Sequence, residues 1–265
     1  MTLIIQKPTG AKLNLAQTYV GTDDPDAAAY ITAVETADGQ SLETAVKVAI
    51  HSFVKGCKVD GIWPAIKASC ILAGARTLAG ALVPLVGTAP TNINFVAGDY
   101  DRETGLKGNG GTKYLTSNRA GNADPLNNRH ISVYVGQLAD SSTTYWAATG
   151  DSSGALAIGA STTQFFAGVS CGTQLVSGLT PGAGFFGASR LAAASFSARG
   201  GGVNGTSSTA STTPQQSNDV RIFGRLTNDG TQNRFAFYSI GESLSLAQLD
   251  SRVTTLINAI GAAIP

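Results

Sequence analysis

Three carboxylates stand at alternate positions in the stretch GDYDRETG, residues 98–105. In an extended chain Asp99, Asp101 and Glu103 share one face, and such a cluster of oxygen ligands suits calcium. An EF-hand loop needs glycine at its sixth position, whereas Gly105 falls at the seventh. Two interpretations therefore stay open: a calcium site, or acids that shape a turn and pair with basic neighbours, namely Arg102, Lys107 or Arg119.

Two glycine-rich stretches have the outline of nucleotide-binding loops. GNGGTKY, residues 108–114, lacks the Ser or Thr after Lys113 and the helix that a phosphate loop needs, so Asn109-Gly110 indicates a tight turn before a strand. GGGVNG, residues 200–205, has the spacing GxGxxG but opens a Ser/Thr tract instead of a helix. Neither stretch predicts phosphate or dinucleotide binding.

Histidines and cysteines offer little for nucleophilic catalysis. His51 lies on the polar shoulder of a predicted helix and is expected to be partly exposed, while His130 follows DPLNN and is expected to bond to that turn. Neither has a GxSxG elbow nearby. Cys57, Cys70 and Cys171 have no zinc spacing and form no disulfide framework, and we expect them to be small buried residues.

Glycoside hydrolysis needs two carboxylates about 5–10 Å apart. Between residues 106 and 240 the acids are few, and each stands beside turn-forming residues: Asp124, Asp140, Asp151, Asp219 and Asp229. Glu242 begins the link to the last helix. The sequence therefore predicts no catalytic, cofactor-binding or metal-binding residues, and a protein that is not an enzyme.

The two tryptophans are the side chains best suited to stack on a sugar ring. Trp63 lies between Ile62 and Pro64 at a predicted helix start and is interpreted as a core residue. Trp146, beside Tyr145 in a predicted strand, stays open between a ligand-facing position and the core or an interface.

The low share of charged residues indicates which classes of molecule the chain is expected to bind. Only 13% of the 265 residues are charged, the formal net charge is +1, and a typical domain has about 25% charged residues. We expect no nucleic-acid contact, and a neutral polar surface suits permanent assembly or neutral ligands.

Residues 1–20 lack the features of a signal peptide. Residues 68–87 have the length of a membrane span, but Arg76 and Pro84 interrupt them and predict a buried helix plus loop.

Helical periodicity dominates before residue 91. Asp24, Pro25 and Gly39 mark the ends of a first helix, and Ser41 is expected to cap a second one with an apolar stripe from Leu42 to Cys57. A third helix is predicted in WPAIKASCILAG, residues 63–74. The chain closes with a helix that starts at a capping box, Ser245 and Gln248.

Short strand patterns follow from residue 92, separated by Gly, Asn, Asp and Ser. In HISVYVGQL, Ile131, Val133 and Val135 share one face, and residues 200–218 are interpreted as a long exposed loop. The pattern predicts a mainly β protein, an antiparallel sandwich or jelly roll. We predict a helical N-terminal region, residues 1–91, that anchors or oligomerises the chain, and a sandwich with its C-terminal helix, residues 92–265.

Four ordered motifs carry a resemblance: KGCKVDGIWPAIKASCILAG, NFVAGDYDRETGLKGNGGTKYLTSNR, NNRHISVYVG and FAFYSIGESLSLAQLDSRVTTLINAI. From about residue 53 to the end, the chain resembles a group of phage virion proteins with a concanavalin-type lectin/glucanase-like sandwich. The group has no agreed catalytic residues, and this sequence lacks the E-x-D-x-x-E motif of sandwich glucanases.

The resemblance implies a non-enzymatic virion structural protein: a tail, fibre or baseplate component or a capsid decoration subunit. It implies other virion proteins and copies of the same chain as partners, host surface glycans as possible ligands, no membrane contact, and location in the virion after synthesis in the bacterial cytoplasm. The alternatives are a polysaccharide depolymerase of the virion and a free secreted lectin.

Overall fold

Two antiparallel sheets face each other in a computed structural model that describes residues 24–140, 142–150, 152–226 and 229–264. Sheet A has the order β13-β12-β11-β6-β15-β4-β3, and β1 also pairs with β15. Its strands are β1 (Ile66–Ile71), β3 (Tyr100–Asp101), β4 (Gly105–Lys107), β6 (Arg129–Gln137), β11 (Gly184–Ala192), β12 (Ser195–Gly200), β13 (Val203–Ser207) and β15 (Arg234–Gly241).

Sheet B has the order β10-β9-β8-β7-β14-β5-β2. Its strands are β2 (Thr91–Ile93), β5 (Tyr114–Ala120), β7 (Thr144–Ala148), β8 (Leu156–Ala160), β9 (Phe165–Val169), β10 (Gln174–Leu175) and β14 (Asp219–Ile222). The mainly β sandwich with helical ends predicted from the strand pattern is confirmed.

The helices form a layer on the outer face of sheet A. They are α1 (Pro25–Asp38), α2 (Thr44–Val59), the four-residue α3 (Leu78–Ala81) and α4 (Leu246–Ala263). Phe53 of α2 meets Phe237 of β15 edge to face, with ring centroids 5.8 Å apart. Burying one such ring contributes roughly 1.5–3 kcal/mol, so contacts of this kind hold the layer on the sheet. None of the helices in the described part of the chain has the length and apolar character that crossing a bilayer requires.

Helix ends follow the predicted caps with one exception. Asp24 accepts from the backbone N–H groups of Asp26 and Ala27, and Ser245 accepts from that of Gln248. Gly39 ends α1 in a left-handed conformation. Ser41 does not cap α2, which begins at Thr44 behind Glu43.

The predicted third helix is wrong. Residues Trp63–Ala65 form one 3₁₀ turn, and the chain then enters strand β1, which pairs antiparallel with β15. Cys70 lies opposite Tyr238 in that pair, with its sulfur 3.4 Å from the Tyr238 hydroxyl. The strand partner lies about 170 residues away in the sequence, and this long-range pairing overrides the local helical pattern.

The N-terminal region is therefore not helical throughout, because β1 joins the sandwich. The domain boundary at residues 91 and 92 stays a prediction, and residues 1–23 of that region lie outside the described residues. The exposed loop predicted at residues 200–218 begins later than expected. Gly201 and Gly202 have positive φ and turn β12 back into β13, so the GxGxxG match is a hairpin.

A single apolar core fills the space between the sheets. Trp146 lies at its centre with no exposed surface, and its ring contacts Phe165, Phe186 and Phe235 at centroid distances of 5.9, 5.1 and 6.3 Å. Ile131, Val133 and Val135 point into the same core, as their alternation predicts.

Candidate functional site

The acidic stretch GDYDRETG, residues 98–105, forms a pair of turns. Asp99 accepts from the Val96 N–H and forms an ion pair with Lys113 at 2.5 Å. Asp101 accepts from the Glu103 and Thr104 N–H groups and from the Thr104 hydroxyl. Within the described ranges no three His, Cys, Asp or Glu side chains stand together as metal ligands.

The basic partners proposed for these acids are not the ones observed. Arg102 binds Glu43 at 2.8 Å and Arg119 binds Asp124, while Lys107 lies on the exposed side of β4. The partner that does pair, Lys113, belongs to the GNGGTKY loop. In that loop Asn109 accepts from the N–H groups of residues 111–113, so the predicted turn is confirmed.

The sandwich acids are tied into loops, with one exception. Asp140 accepts from Thr144, Thr231 and the Gln232 N–H. Asp124 and Asp229 hold neighbouring arginines, and Glu242 forms an ion pair with Lys67. Asp219 was expected in a turn but begins β14, opposite Ala120. Asp151 lies outside the described residues.

Both histidines differ from expectation. His51 is buried, because packing in the helical layer covers more of α2 than its apolar stripe. His130 has no exposed surface and bonds to the Glu242 carbonyl and the Ser239 hydroxyl, each at 2.6 Å, instead of to the preceding turn. Burial lowers the pKa of His130 to about 4, so the ring is neutral at pH 7.

The cysteines are buried, as predicted, and burial raises the pKa of Cys57 and of Cys70 to about 12. Trp146 is a core residue, which settles its open interpretation. Trp63 is partly exposed instead of buried, because it packs at the edge of the helical layer. It lines a cleft of about 370 Å³ with Tyr30 and Pro84, and the Lys58 ammonium lies 5.7 Å from its ring centroid.

An open groove lies between α4 and the β11-β12-β13 side of sheet A. We call it the polar groove. It consists of two cavities, of about 680 and 520 Å³, placed end to end along β12 and α4. Each is within the size range of small-ligand sites.

The larger cavity of the polar groove carries no charged residue, and polar and apolar residues share its lining. Its polar lining comes from Ser189, Ser195, Ser197, Asn204, Thr206, Ser243 and Ser245. Its large apolar residues are Leu191, Phe196, Leu244 and Leu246, of which Leu191 is 78% exposed. The lining suits a neutral ligand with many hydroxyl groups.

The smaller cavity holds the charged and aromatic groups. Tyr134 of β6 is half-buried there, beside Arg199 of β12 and Asp250 of α4. Gly201 and Gly202, in the hairpin turn, leave this end open because open space surrounds the position of a side chain. Burial raises the pKa of Tyr134, and the negative charge of Asp250 adds to that rise.

Arg199 links the two cavities. Its Nε donates to Asp250 at 2.7 Å, and its Nη1 donates to the Asn204 amide oxygen at 2.7 Å. The second oxygen of Asp250 accepts from the Thr254 hydroxyl at 2.9 Å. The network is neutral overall and leaves guanidinium and amide N–H groups for a ligand.

No local sequence pattern predicts this site. Arg199 and Asn204 face each other across the β12-β13 pair, and Asn204 falls within residues 200–218, which the sequence predicts to be an exposed loop. Asp250 is 51 positions from Arg199 and lies on a helix for which the sequence pattern predicts only the buried apolar stripe. An acid, an arginine and an asparagine that far apart form no motif.

A second groove, the apolar groove, lies on the other side of α4, between it and α2. It encloses about 650 Å³ and is lined mainly by small or apolar side chains, among them Ala45, Val48, Phe53, Leu256 and Ala262. At one end Arg252 of α4 binds Asp60, just beyond α2, through two bonds of 2.7 and 2.9 Å.

Comparisons with known proteins show only distant likenesses, and these are to solved structures. No family model and no curated protein matches the sequence. Among solved structures, the chain is similar to domain 4 of the extracellular arabinanase AbnA from Geobacillus stearothermophilus, solved with arabinotriose. The identity is 13% and the TM-score 0.38, over 63% of this chain and 82% of that domain.

The chain is also similar to a Trypanosoma rangeli sialidase solved with the inhibitor DANA, at 11% identity and TM-score 0.43, over 78% of this chain and 38% of that one. The binding domain of a botulinum neurotoxin matches at 12% identity and TM-score 0.33, over 56% of this chain and 39% of that one. At such TM-scores these likenesses carry no argument about what this chain binds.

Proposed function

We propose that this chain is a non-enzymatic structural subunit of a phage virion that binds a neutral saccharide of the host surface in the polar groove. The observation that carries the binding part is the Arg199–Asp250–Asn204 network, which lies beside the half-buried ring of Tyr134 and is exposed at Asn204. The resemblance of the sequence to virion proteins supports the structural part. The chain would be made in the bacterial cytoplasm and assembled into the particle.

A saccharide matches the chemistry of this groove better than other ligand classes. Neighbouring sugar hydroxyls donate and accept together, and a guanidinium, a carboxylate and an amide offer both functions at fixed positions. The ring of Tyr134 provides an apolar face for the C–H side of a pyranose. Because Arg199 and Asp250 cancel in charge, nothing in the groove attracts a strongly anionic ligand such as a phosphate.

The helical layer is the side that we assign to assembly. The apolar groove is uncharged apart from Arg252, which Asp60 neutralises, and its alanines permit close approach of another helix. A second copy of this chain is the partner that we infer, because a two-fold contact sets the same apolar strip against itself and needs no other complementary surface. Other virion proteins would then contact the assembled oligomer.

The alternative, a polysaccharide depolymerase, requires two carboxylates about 5–10 Å apart across the scissile bond. Of the residues that line the polar groove, Asp250 carries the one carboxylate, and Arg199 and Thr254 occupy its oxygens. This arrangement supports binding without hydrolysis.

A printed array of neutral and acidic oligosaccharides tests the binding, with calorimetry on the strongest neutral hit. We expect saturable binding to neutral oligosaccharides. Arg199→Met should weaken it by about tenfold or more, since hydrogen bonds to charged groups are worth about 1.5–3 kcal/mol. Tyr134→Ala should also weaken it, because it removes the apolar face on which the sugar ring packs.

Two matched controls lie on sheet B, away from the groove. Tyr114→Ala and Arg221→Met remove the same kinds of side chain from a half-buried stacked pair, and they should leave binding unchanged. Equal losses in the groove variants and the controls would contradict the site. Release of shorter saccharides on prolonged incubation, abolished by Asp250→Asn, would favour the depolymerase.

The virion assignment has its own test. Quantitative mass spectrometry of purified particles should find the chain at a fixed copy number. Hundreds of copies indicate a capsid coat, and a number between three and a few tens indicates a tail or fibre. Absence from particles of the phage that encodes it would contradict the assignment.

A further inference from the structure

Two arginines are fully buried side by side in sheet A. Arg129 of β6 lies directly opposite Arg190 of β11 in the antiparallel register, and neither has any exposed surface. Arginine is almost never fully buried unless its charge and its N–H groups are matched. The two side chains differ sharply in how far that condition is met.

Arg190 is enclosed by acceptors. Its Nε, Nη1 and Nη2 donate to backbone carbonyl oxygens at 2.5–3.1 Å, and its guanidinium lies 5.5 Å from the ring centroid of Phe196. The carbonyls belong to Val169, Ala192, Ala193, Ser195 and Thr209. All three nitrogens of the guanidinium are thus engaged without any carboxylate.

Among the described residues, the side chain of Arg129 has one hydrogen-bond partner. Its Nη1 donates to the Ser170 hydroxyl at 2.9 Å, and that hydroxyl in turn donates to the Leu126 carbonyl. Its Nε and Nη2 are buried and meet no acceptor among the described residues. This edge of the guanidinium presents two parallel N–H groups, the geometry that binds an anion. Leaving such a charge unmatched costs several kcal/mol.

Charge in the surroundings does not balance either. The charge of Asp124 favours the charged form of Arg129, and the charges of Arg119 and Arg190 oppose it. Asp124 already binds Arg119 through both of its oxygens. Three guanidinium groups against one carboxylate leave two positive charges in excess, and Arg129 and Arg190 have no exposed surface while Arg119 is partly exposed. Burial lowers the pKa of Arg129 to about 10, so the group stays charged at neutral pH.

We propose that the Nε–Nη2 edge of Arg129 holds a small inorganic anion, of the size of chloride, enclosed within the fold. Enclosure sets the size, because the edge has no exposed surface and a saccharide or nucleotide cannot reach it. The ion supplies the missing acceptor and cancels one of the two uncompensated charges. It binds as the chain folds, so its affinity contributes to stability and is independent of the polar groove.

Anion-linked unfolding tests the proposal with the full chain. The protein is prepared in sodium gluconate, whose anion is too large to enter, and chloride replaces gluconate at constant ionic strength. Above saturation, each tenfold rise in chloride should raise the folding equilibrium constant about tenfold, as linkage requires for one bound ion. Bromide and nitrate should act like chloride.

Arg129→Met should abolish this dependence, whatever its effect on absolute stability. Arg221→Met, a half-buried arginine of sheet B, should keep it. Crystals grown in bromide give a second readout that needs no variant: an anomalous peak within hydrogen-bond distance of Arg129 Nε and Nη2. Equal chloride dependence in the Arg129 variant and the unaltered chain, or a water molecule at that edge in bromide crystals, would overturn the proposal.

Discussion

Helix α4 has two sides that differ in kind, and two neighbouring residues show the difference. Asp250 and Arg252 are two positions apart, about 200° around the helix axis. Asp250 faces sheet A and binds Arg199, whereas Arg252 faces α2 and binds Asp60. Arg199 and Asp250 line the polar groove, and Arg252 lines the apolar groove.

The two sides of α4 differ in a way that suits two separate roles, namely the saccharide binding and the self-association that we propose. On the sheet side, β12 and β13 contribute serine, threonine and asparagine side chains that stay partly exposed. On the α2 side, both helices contribute alanines, so the groove has little to offer a polar ligand and much to offer another helix. A change on one side should therefore leave the other side intact.

The largest expected effect on stability comes from a substitution that disturbs the packing of α4 and therefore affects both grooves. Leu249 belongs to the buried stripe that seats α4 and has no exposed surface. Leu249→Ala should lower the free energy of unfolding by about 2–5 kcal/mol, and because both grooves depend on α4, saccharide binding and self-association should fail together. Chemical denaturation with calorimetry measures this.

The exposed neighbour Gln248 provides the control, since Gln248→Ala should change stability by less than about 0.5 kcal/mol. If Leu249→Ala lost only one of the two functions, the helix would not be their common support.

The sequence predicted α4 well because its signals are local. Ser245 and Gln248 stand three apart, and Leu249, Val253 and Leu256 repeat at helical spacing, so cap and buried stripe follow from neighbouring residues. The alternation of Ile131, Val133 and Val135 predicted a core-facing strand for the same reason. What lies on the remaining sides of α4 depends on which elements pack there, and no local pattern encodes that.

The wrong predictions share this cause. The segment from Ile66 to Ile71 is a strand because β15 offers it a partner, and Trp63 is partly exposed because it packs at the edge of the helical layer. Arg129 and His130 begin a strand, and the alternation of that strand does not show that both are fully buried. The candidate site was missed for the same reason.

A charge in the apolar groove should affect assembly alone. Ala45 of α2 and Ala262 of α4 line it and are exposed, so Ala45→Glu or Ala262→Glu should not disturb folding. Each should convert the dimer that we propose into a monomer, because an isologous contact buries the new carboxylate against its own copy. Light scattering coupled to size-exclusion chromatography measures the mass.

Asn258→Glu is the matched control: it adds the same charge to an exposed position of α4 that does not line the groove. It should leave both mass and saccharide binding unchanged. A monomeric unaltered chain at every accessible concentration would remove the assembly side of the comparison.

The smallest expected effect is on the pH dependence of stability, to which the Arg252–Asp60 ion pair on the α2 side of α4 contributes. The hydrogen bond from Arg252 lowers the pKa of Asp60 below its usual range. A carboxyl group whose pKa is lower in the folded state stabilises the fold above its unfolded pKa, near 3.9, and loses that contribution as the pH falls through the folded value. Asp60→Asn should therefore make the loss of stability below about pH 4 slightly smaller, and only slightly, since the pair is partly exposed.

Denaturation midpoints at pH 6, 4 and 3 measure this loss of stability. Saccharide binding at pH 6 should be unaltered because Asp60 is on the far side of α4. If Asp60→Asn weakened saccharide binding, the two sides of the helix would be coupled, and the division of labour between the grooves would be wrong.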